Sequence, residues 1–159
     1  MGVFTYFPLL AIPVVIYNLM AFGGAIFSAG ETIGARLGDP LLTLPMPSST
    51  TVTNAEGVAE TVQTVWPLTA GDLLLVLALF LLFFELLKST GTGRASIVNH
   101  ALSLIIFIVC LVQFLVMAPF ATSVFFLITI MALLDLLAGV VVTIVAARRD
   151  FAVGEGGFG

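Results

Sequence analysis

Residues 122–147, TSVFFLITIMALLDLLAGVVVTIVAA, carry a single charged side chain, Asp135, and residues 97–117, IVNHALSLIIFIVCLVQFLVM, carry one titratable ring, His100. A helix rises ~1.5 Å per residue, so either run is long enough to cross a hydrocarbon core of ~30 Å. Lipid offers no partner to a bare N–H or C=O, which makes a helix the form such a run must take. Two more runs of this kind lie upstream, at residues 4–29 and 70–88. The short, alternating segments of ~10 residues that mark a membrane barrel are absent. The sequence therefore predicts an all-α integral membrane protein. Its single domain, residues 1–153, is an up-down-up-down bundle of four transmembrane helices. Residues 30–69 form an external loop, and residues 154–159 form a Gly-rich tail that is flexible by composition.

Composition agrees with this reading and excludes others. Of 159 residues, 60% are hydrophobic and 9% charged, against roughly 25% charged in soluble domains. Disordered chains are apolar-poor and charge-rich, the opposite balance. The net charge of -4 comes with no basic stripe to neutralise phosphates, so nucleic acid is not an expected partner. One Cys and one His give neither a disulfide framework nor the three or four ligands of a metal site. Phosphate loops, nucleophile elbows, zinc helices and haem-attachment pairs are missing, and Gly91-Thr92-Gly93 reads as a turn between antiparallel helices. Neither catalysis nor a cofactor is expected.

Orientation follows from the basic residues. Lys88 and Arg94 flank the turn between the second and third spans, and Arg148 and Arg149 close the fourth. With four spans these all fall on one side, which the positive-inside rule makes cytoplasmic. Both termini are then cytoplasmic, in a bacterial inner membrane. The first span lacks a basic n-region and exceeds the usual h-region of a cleaved signal, so it reads as a retained helix.

In the external loop, Gly38-Asp39-Pro40 halts a helix. Leu41-Leu42-Thr43-Leu44 and residues 61–66 are short β-prone runs, which predicts a small hairpin with residues 45–54 as its loop. Trp66, just ahead of the second span, is the expected interfacial anchor, with an apolar ring and one N–H donor. Asp72 stands where it caps that span.

Polar residues inside the spans are the candidate functional positions, because each costs about 2.5 to 3.5 kcal/mol to insert when charged. Asp135 lies near the middle of the fourth span and Asn18 near the middle of the first, which predicts a contact between them. On the third span Ser96, Asn99, Ser103, Cys110 and Gln113 recur at steps of three and four with Ile106 and Met117, a seam suited to another helix. Glu85, Lys88 and His100 form a cytoplasmic-side polar group, in which a contact of Glu85 with His100 is expected to respond to pH. The expected role is non-catalytic: self-association, or membership of a larger membrane complex, within the lipid bilayer. The competing expectation is a small oligomeric channel or transporter that uses Asp135 and the polar face of the third span.

Overall fold

The computed structural model describes residues 7–27, 32–53, 55, 57–89 and 94–155. In chain order the elements are α1 (Ala11–Phe27), α2 (Ile33–Gly38), β1 (Pro40–Thr53), β2 (Ala59–Thr69), α3 (Ala70–Ser89), α4 (Arg94–Val116) and α5 (Ser123–Glu155). One 3-10 turn, Ala118–Phe120, joins α4 to α5. The chain is mostly helical, and three stretches are long and apolar enough to cross a membrane: Ala70–Lys88, Ser96–Val116 and Ser123–Val145. The turn expected at Gly91–Gly93 and residues 156–159 of the tail lie outside the described residues. So do the side chains of Arg94, Arg148 and Arg149, which set the expected orientation.

The first expected span differs from its prediction. Residues 4–6 and 28–29 lie outside the described residues, and Phe7–Leu10 are not helical. Helix α1 has 17 residues, roughly 26 Å of axis. Ahead of it is a turn in which Ala11 N donates to Pro8 O (3.1 Å) and Ile12 N to Leu9 O (3.0 Å). Pro13 falls in the first turn of α1, where a missing N–H costs nothing. At the other end of the chain, α5 runs past Ala147, the expected limit of the fourth span, and into the tail as far as Glu155.

The hairpin is longer than predicted. Strand β1 has 14 residues and β2 has 11, an antiparallel ribbon of roughly 36 Å. Residues 45–53, expected as loop, belong to β1, and the register slips between Pro45↔Val65 and Ser49↔Gln63. Prolines are tolerated in a two-stranded ribbon because both strands are edges and the slip leaves Pro47 out of the ladder. The Gln63 side-chain amide donates to Met46 O (3.4 Å) across the gap. Gly57, in the connection to β2, takes φ 79°, a left-handed conformation suited to glycine.

Strand β2 passes straight into α3 through a reciprocal cap. Thr69 N and Oγ1 both donate to Asp72 Oδ2 (2.9 and 2.8 Å), and Asp72 N donates back to Thr69 Oγ1 (3.2 Å). Two otherwise unpaired N–H groups are thereby satisfied where strand becomes helix. Thr69→Ala is expected to cost about 1 kcal/mol in thermal unfolding of the solubilised protein, with Thr69→Ser near wild type. Equal melting of all three proteins would show that the cap carries no stability.

Packing departs from a sequential bundle. Helices α3 and α4, though close in sequence, each pack chiefly against α5, which therefore lies between them. The apolar core joins Val14 and Tyr17 of α1, Leu37 of α2, Leu74 and Ala78 of α3, Cys110 of α4, and Phe120, Phe125 and Ile128. It sits at the hairpin end of the helices. Gly71 allows the close approach there, since a Cβ would meet Val124 Cγ2 at 2.9 Å and Leu37 O at 3.1 Å.

Candidate functional site

The opposite end of α3, α4 and α5 is polar inside. Glu85 lies in the last turns of α3, and Asn99, in the first turns of α4, stands at the same depth and bonds it. Helical spacing puts Asn99 and Ser103 on one face of α4, Ser96 and His100 on the adjoining strip, and Asp135 and Gly139 on one face of α5. Glu85, Asn99, Ser103 and Asp135 are each 2% exposed or less. Buried polar groups at this density in an apolar bundle need partners.

Glu85 finds all of its partners. Its Oε1 accepts from Asn99 Nδ2 and lies 3.0 Å from Lys88 Nζ. Its Oε2 accepts from Leu9 N (2.8 Å) and Lys88 Nζ (3.2 Å). Lys88 also donates to Phe7 O (2.7 Å), so one carboxylate and one ammonium tie the turn before α1 to α3 and α4. The neighbouring groups are not satisfied. Asn99 Oδ1, His100 Nδ1, Ser103 Oγ and both Asp135 carboxylate oxygens are buried without a hydrogen-bond partner. Ser103 of α4 is the polar side chain beside the Asp135 carboxylate.

Two expected contacts are replaced by others. Asn18 does not reach Asp135. It exchanges amide bonds with Gln113, as Gln113 Nε2 donates to Asn18 Oδ1 (2.7 Å) and Asn18 Nδ2 lies 3.4 Å from Gln113 Oε1 and 2.8 Å from Val14 O. The reason is depth: Gln113 and Ser103 lie ~15 Å apart along α4, and Asn18 is level with the first while Asp135 is level with the second. Glu85 likewise does not bond His100. Asn99 takes the carboxylate, and His100 Nε2 pairs with Ser96 Oγ at 3.0 Å.

Trp66 stands on β2 opposite Leu44, half-exposed. Helix α3 starts four positions on, ~13 Å along the strand, so the ring lies along the ribbon rather than at the helix end. Sequence reasoning missed the backbone groups of Phe7 and Leu9 that bind Lys88 and Glu85. Pro8 was the available signal, since a turn leaves backbone groups free for a buried ion pair. Gly139 accommodates a ring: a Cβ there would meet His100 Cε1 at 2.5 Å and Cγ at 2.6 Å.

The cluster can hold and exchange protons through a carboxyl, an imidazole and a hydroxyl. Among the described residues no group of three or more His, Cys, Asp or Glu could hold a metal ion. Cys110 is a free thiol buried in the apolar core. A groove of about 280 Å³ at the α4–α5 turn, lined by Phe114, Ala121, Thr122, Ser123 and Phe126, lies at the far end from these groups. Comparison with protein-family models, with curated proteins and with solved structures finds no match for this chain.

Proposed function

We propose that this chain is a non-catalytic, multi-pass inner-membrane protein that acts by assembling with copies of itself. Helix α1 serves as a fourth, short crossing, both termini are cytoplasmic, and the ribbon projects on the outer side. One observation carries the reading: the ribbon has an apolar face that none of the described residues covers. Directly paired residues share a face. The pairs Leu42↔Leu68, Leu44↔Trp66, Thr50↔Val62 and Val52↔Glu60 alternate with Thr43↔Pro67, Pro45↔Val65, Ser49↔Gln63, Thr51↔Thr61 and Thr53↔Ala59, so the first face is apolar at its end near α3. Leu42, Leu44, Val62 and Trp66 are all exposed. A two-stranded ribbon is marginal alone in water, and burial of this face against a second copy supplies what it lacks. The helices leave room for partners as well, with 17–33% of each spanning window buried within the chain.

The test is mass measurement of the intact protein in detergent and in nanodiscs. Wild type is expected as an oligomer, and the double variant Leu44→Lys, Trp66→Lys as a monomer with an unchanged helical circular-dichroism spectrum. A monomeric wild type in both media, or a variant that keeps the wild-type mass, would sink the assembly reading. A second reading, proton-linked transport along α4 and α5, is favoured by the unpartnered oxygens and nitrogen around Asp135.

A further inference from the structure

We propose that the outer edge of β2 pairs antiparallel with the same edge of a second copy, joining two ribbons into one four-stranded sheet. This pairing rests on the assembly reading for its partner and names the backbone groups that make the contact. Proline positions decide which groups are available. In an antiparallel pair, opposed residues alternate between those that exchange both bonds and those whose N–H and C=O point outward. Pro67, opposite Thr43, and Pro45, opposite Val65, have no N–H to exchange. Both pairs are therefore of the outward kind, and Leu42↔Leu68 and Leu44↔Trp66 are the bonded ones. Strand β2 keeps this alternation along its length, because at the slip residues 46–48 of β1 face Thr64 alone. Ala59, Thr61, Gln63 and Val65 consequently present N–H and C=O away from β1, and all four are exposed.

The two edges of the ribbon are unlike. On β1 the outward row is interrupted by Pro45 and by the slip around Pro47, two of the devices that keep an edge from pairing with another chain. On β2 the row is unbroken from Ala59 to Val65. That strand has no lysine and no proline ahead of Pro67, and Glu60 is its one charged residue. An edge of this kind is a template for a further strand.

Charge and register make a second copy the occupant. Self-pairing about Gln63 sets Gln63 against Gln63 of the second copy, Thr61 against its Val65, and Ala59 against its Pro67, whose carbonyl still accepts. This register uses the whole outward row. It also places Glu60 opposite Trp66 of the second copy, so that no like charges are opposed. Two strands alone are marginal in water, whereas four that share an apolar face meet the need for further strands. The two-fold axis stands perpendicular to the joint sheet. For two copies in one membrane it is the membrane normal, and the joined ribbons lie over the outer surface.

Cysteine crosslinking of the full-length protein in membranes, under mild oxidation, reads this register. Gln63→Cys is expected to give a disulfide-linked dimer, because directly paired residues of this kind stand ~5.5 Å apart at Cα, within disulfide reach. Thr61→Cys alone and Val65→Cys alone are expected to stay uncrosslinked, each ~13 Å along the strand from its counterpart, while the two co-expressed crosslink to each other. The chain's own thiol, Cys110, is buried and gives a silent background. Thr61→Pro with Val65→Pro removes two outward N–H groups and spares the bonded pairs, so adding both is expected to abolish the Gln63→Cys crosslink. Self-crosslinking of Thr61→Cys as readily as Gln63→Cys, or none in Gln63→Cys, would overturn the edge pairing. Native mass of the reduced Gln63→Cys protein separates the two ideas. An oligomer that does not crosslink rejects the edge and leaves the assembly reading standing, and a monomer rejects both.

Discussion

Replacing Glu85 with alanine is expected to lower the unfolding free energy of the solubilised protein by about 3–5 kcal/mol, the range for breaking a buried pair by removing one partner. The size comes from what is left behind. Glu85 is 0% exposed and accepts from Leu9 N, Asn99 Nδ2 and Lys88 Nζ. Truncation strands an amide N–H, a carboxamide and part of an ammonium's coordination, and each unsatisfied donor costs about 1–3 kcal/mol. Lys88 is 20% exposed and can recover some solvation, which keeps the total below a full sum. Glu85→Gln is expected to fall between, because its amide must present a donor where one of the present donors already points. The contact spans the turn before α1, α3 and α4, so its loss should also speed hydrogen exchange at Leu9. Melting of Glu85→Ala within about 1 kcal/mol of wild type would show that the cluster does not hold these elements together.

Tyr17→Ala is expected to cost a similar amount, about 3–5 kcal/mol, at the other end of the molecule. Tyr17 is 0% exposed, with ring centroids 4.6 Å from Phe125 and 5.5 Å from Phe120. Its hydroxyl donates to Pro119 O (3.0 Å) and lies 2.6 Å from Thr122 Oγ1. A tyrosine hydroxyl has one proton, so Thr122 is the donor in that second bond, while its own oxygen accepts from Phe125 N (3.2 Å) at the start of α5. The result is a chain of bonds from the first turn of α5 through Thr122 and Tyr17 to the carbonyl of Pro119. Alanine removes both the ring and the middle of that chain. Phenylalanine keeps the ring and is expected to cost about 1 kcal/mol, the price of the hydrogen bonds alone. Thermal unfolding of the three proteins separates the two contributions, and equal losses for Phe and Ala would assign the effect to the hydroxyl.

Much of the architecture was legible because it depends on local pattern. The apolar runs that became α3, α4 and α5 had no alternative in lipid, although α5 continues past the point where charge resumes. Local pattern was less reliable in the ribbon. Pro45 and Pro47 read as loop, since proline cannot donate to a ladder, yet a two-residue slip and two free edges accommodate them. For α1, the apolar run from residue 4 overstated the helix because Pro8 turns the chain and Ala11 opens the first helical turn.

The candidate site was half legible. Asp135, Asn99, Ser103, Glu85 and His100 stand out in sequence because polar groups in spans are costly. Their partners were not readable, because pairing depends on depth. A displacement of ten residues separates a contact from no contact, so Asn18 meets Gln113 and not Asp135. The seam of small and polar residues on α4 indicates that a helix packs there without saying which one, and α5 occupies that place.

By itself, the sequence determined that this chain is mostly helical, with few charges and with helices long and apolar enough to cross a membrane, and it singled out the residues whose burial needs an explanation. Hydrophobicity and helical rise are sums over neighbouring residues, so one strand of letters suffices to read them. Only the tertiary structure decided that Glu85 is fully satisfied, that His100 is paired at Nε2 with Ser96, and that the His100 ring packs against Gly139 of α5. Those outcomes depend on angles and depths between helices, where a hydrogen bond is made or lost within an ångström.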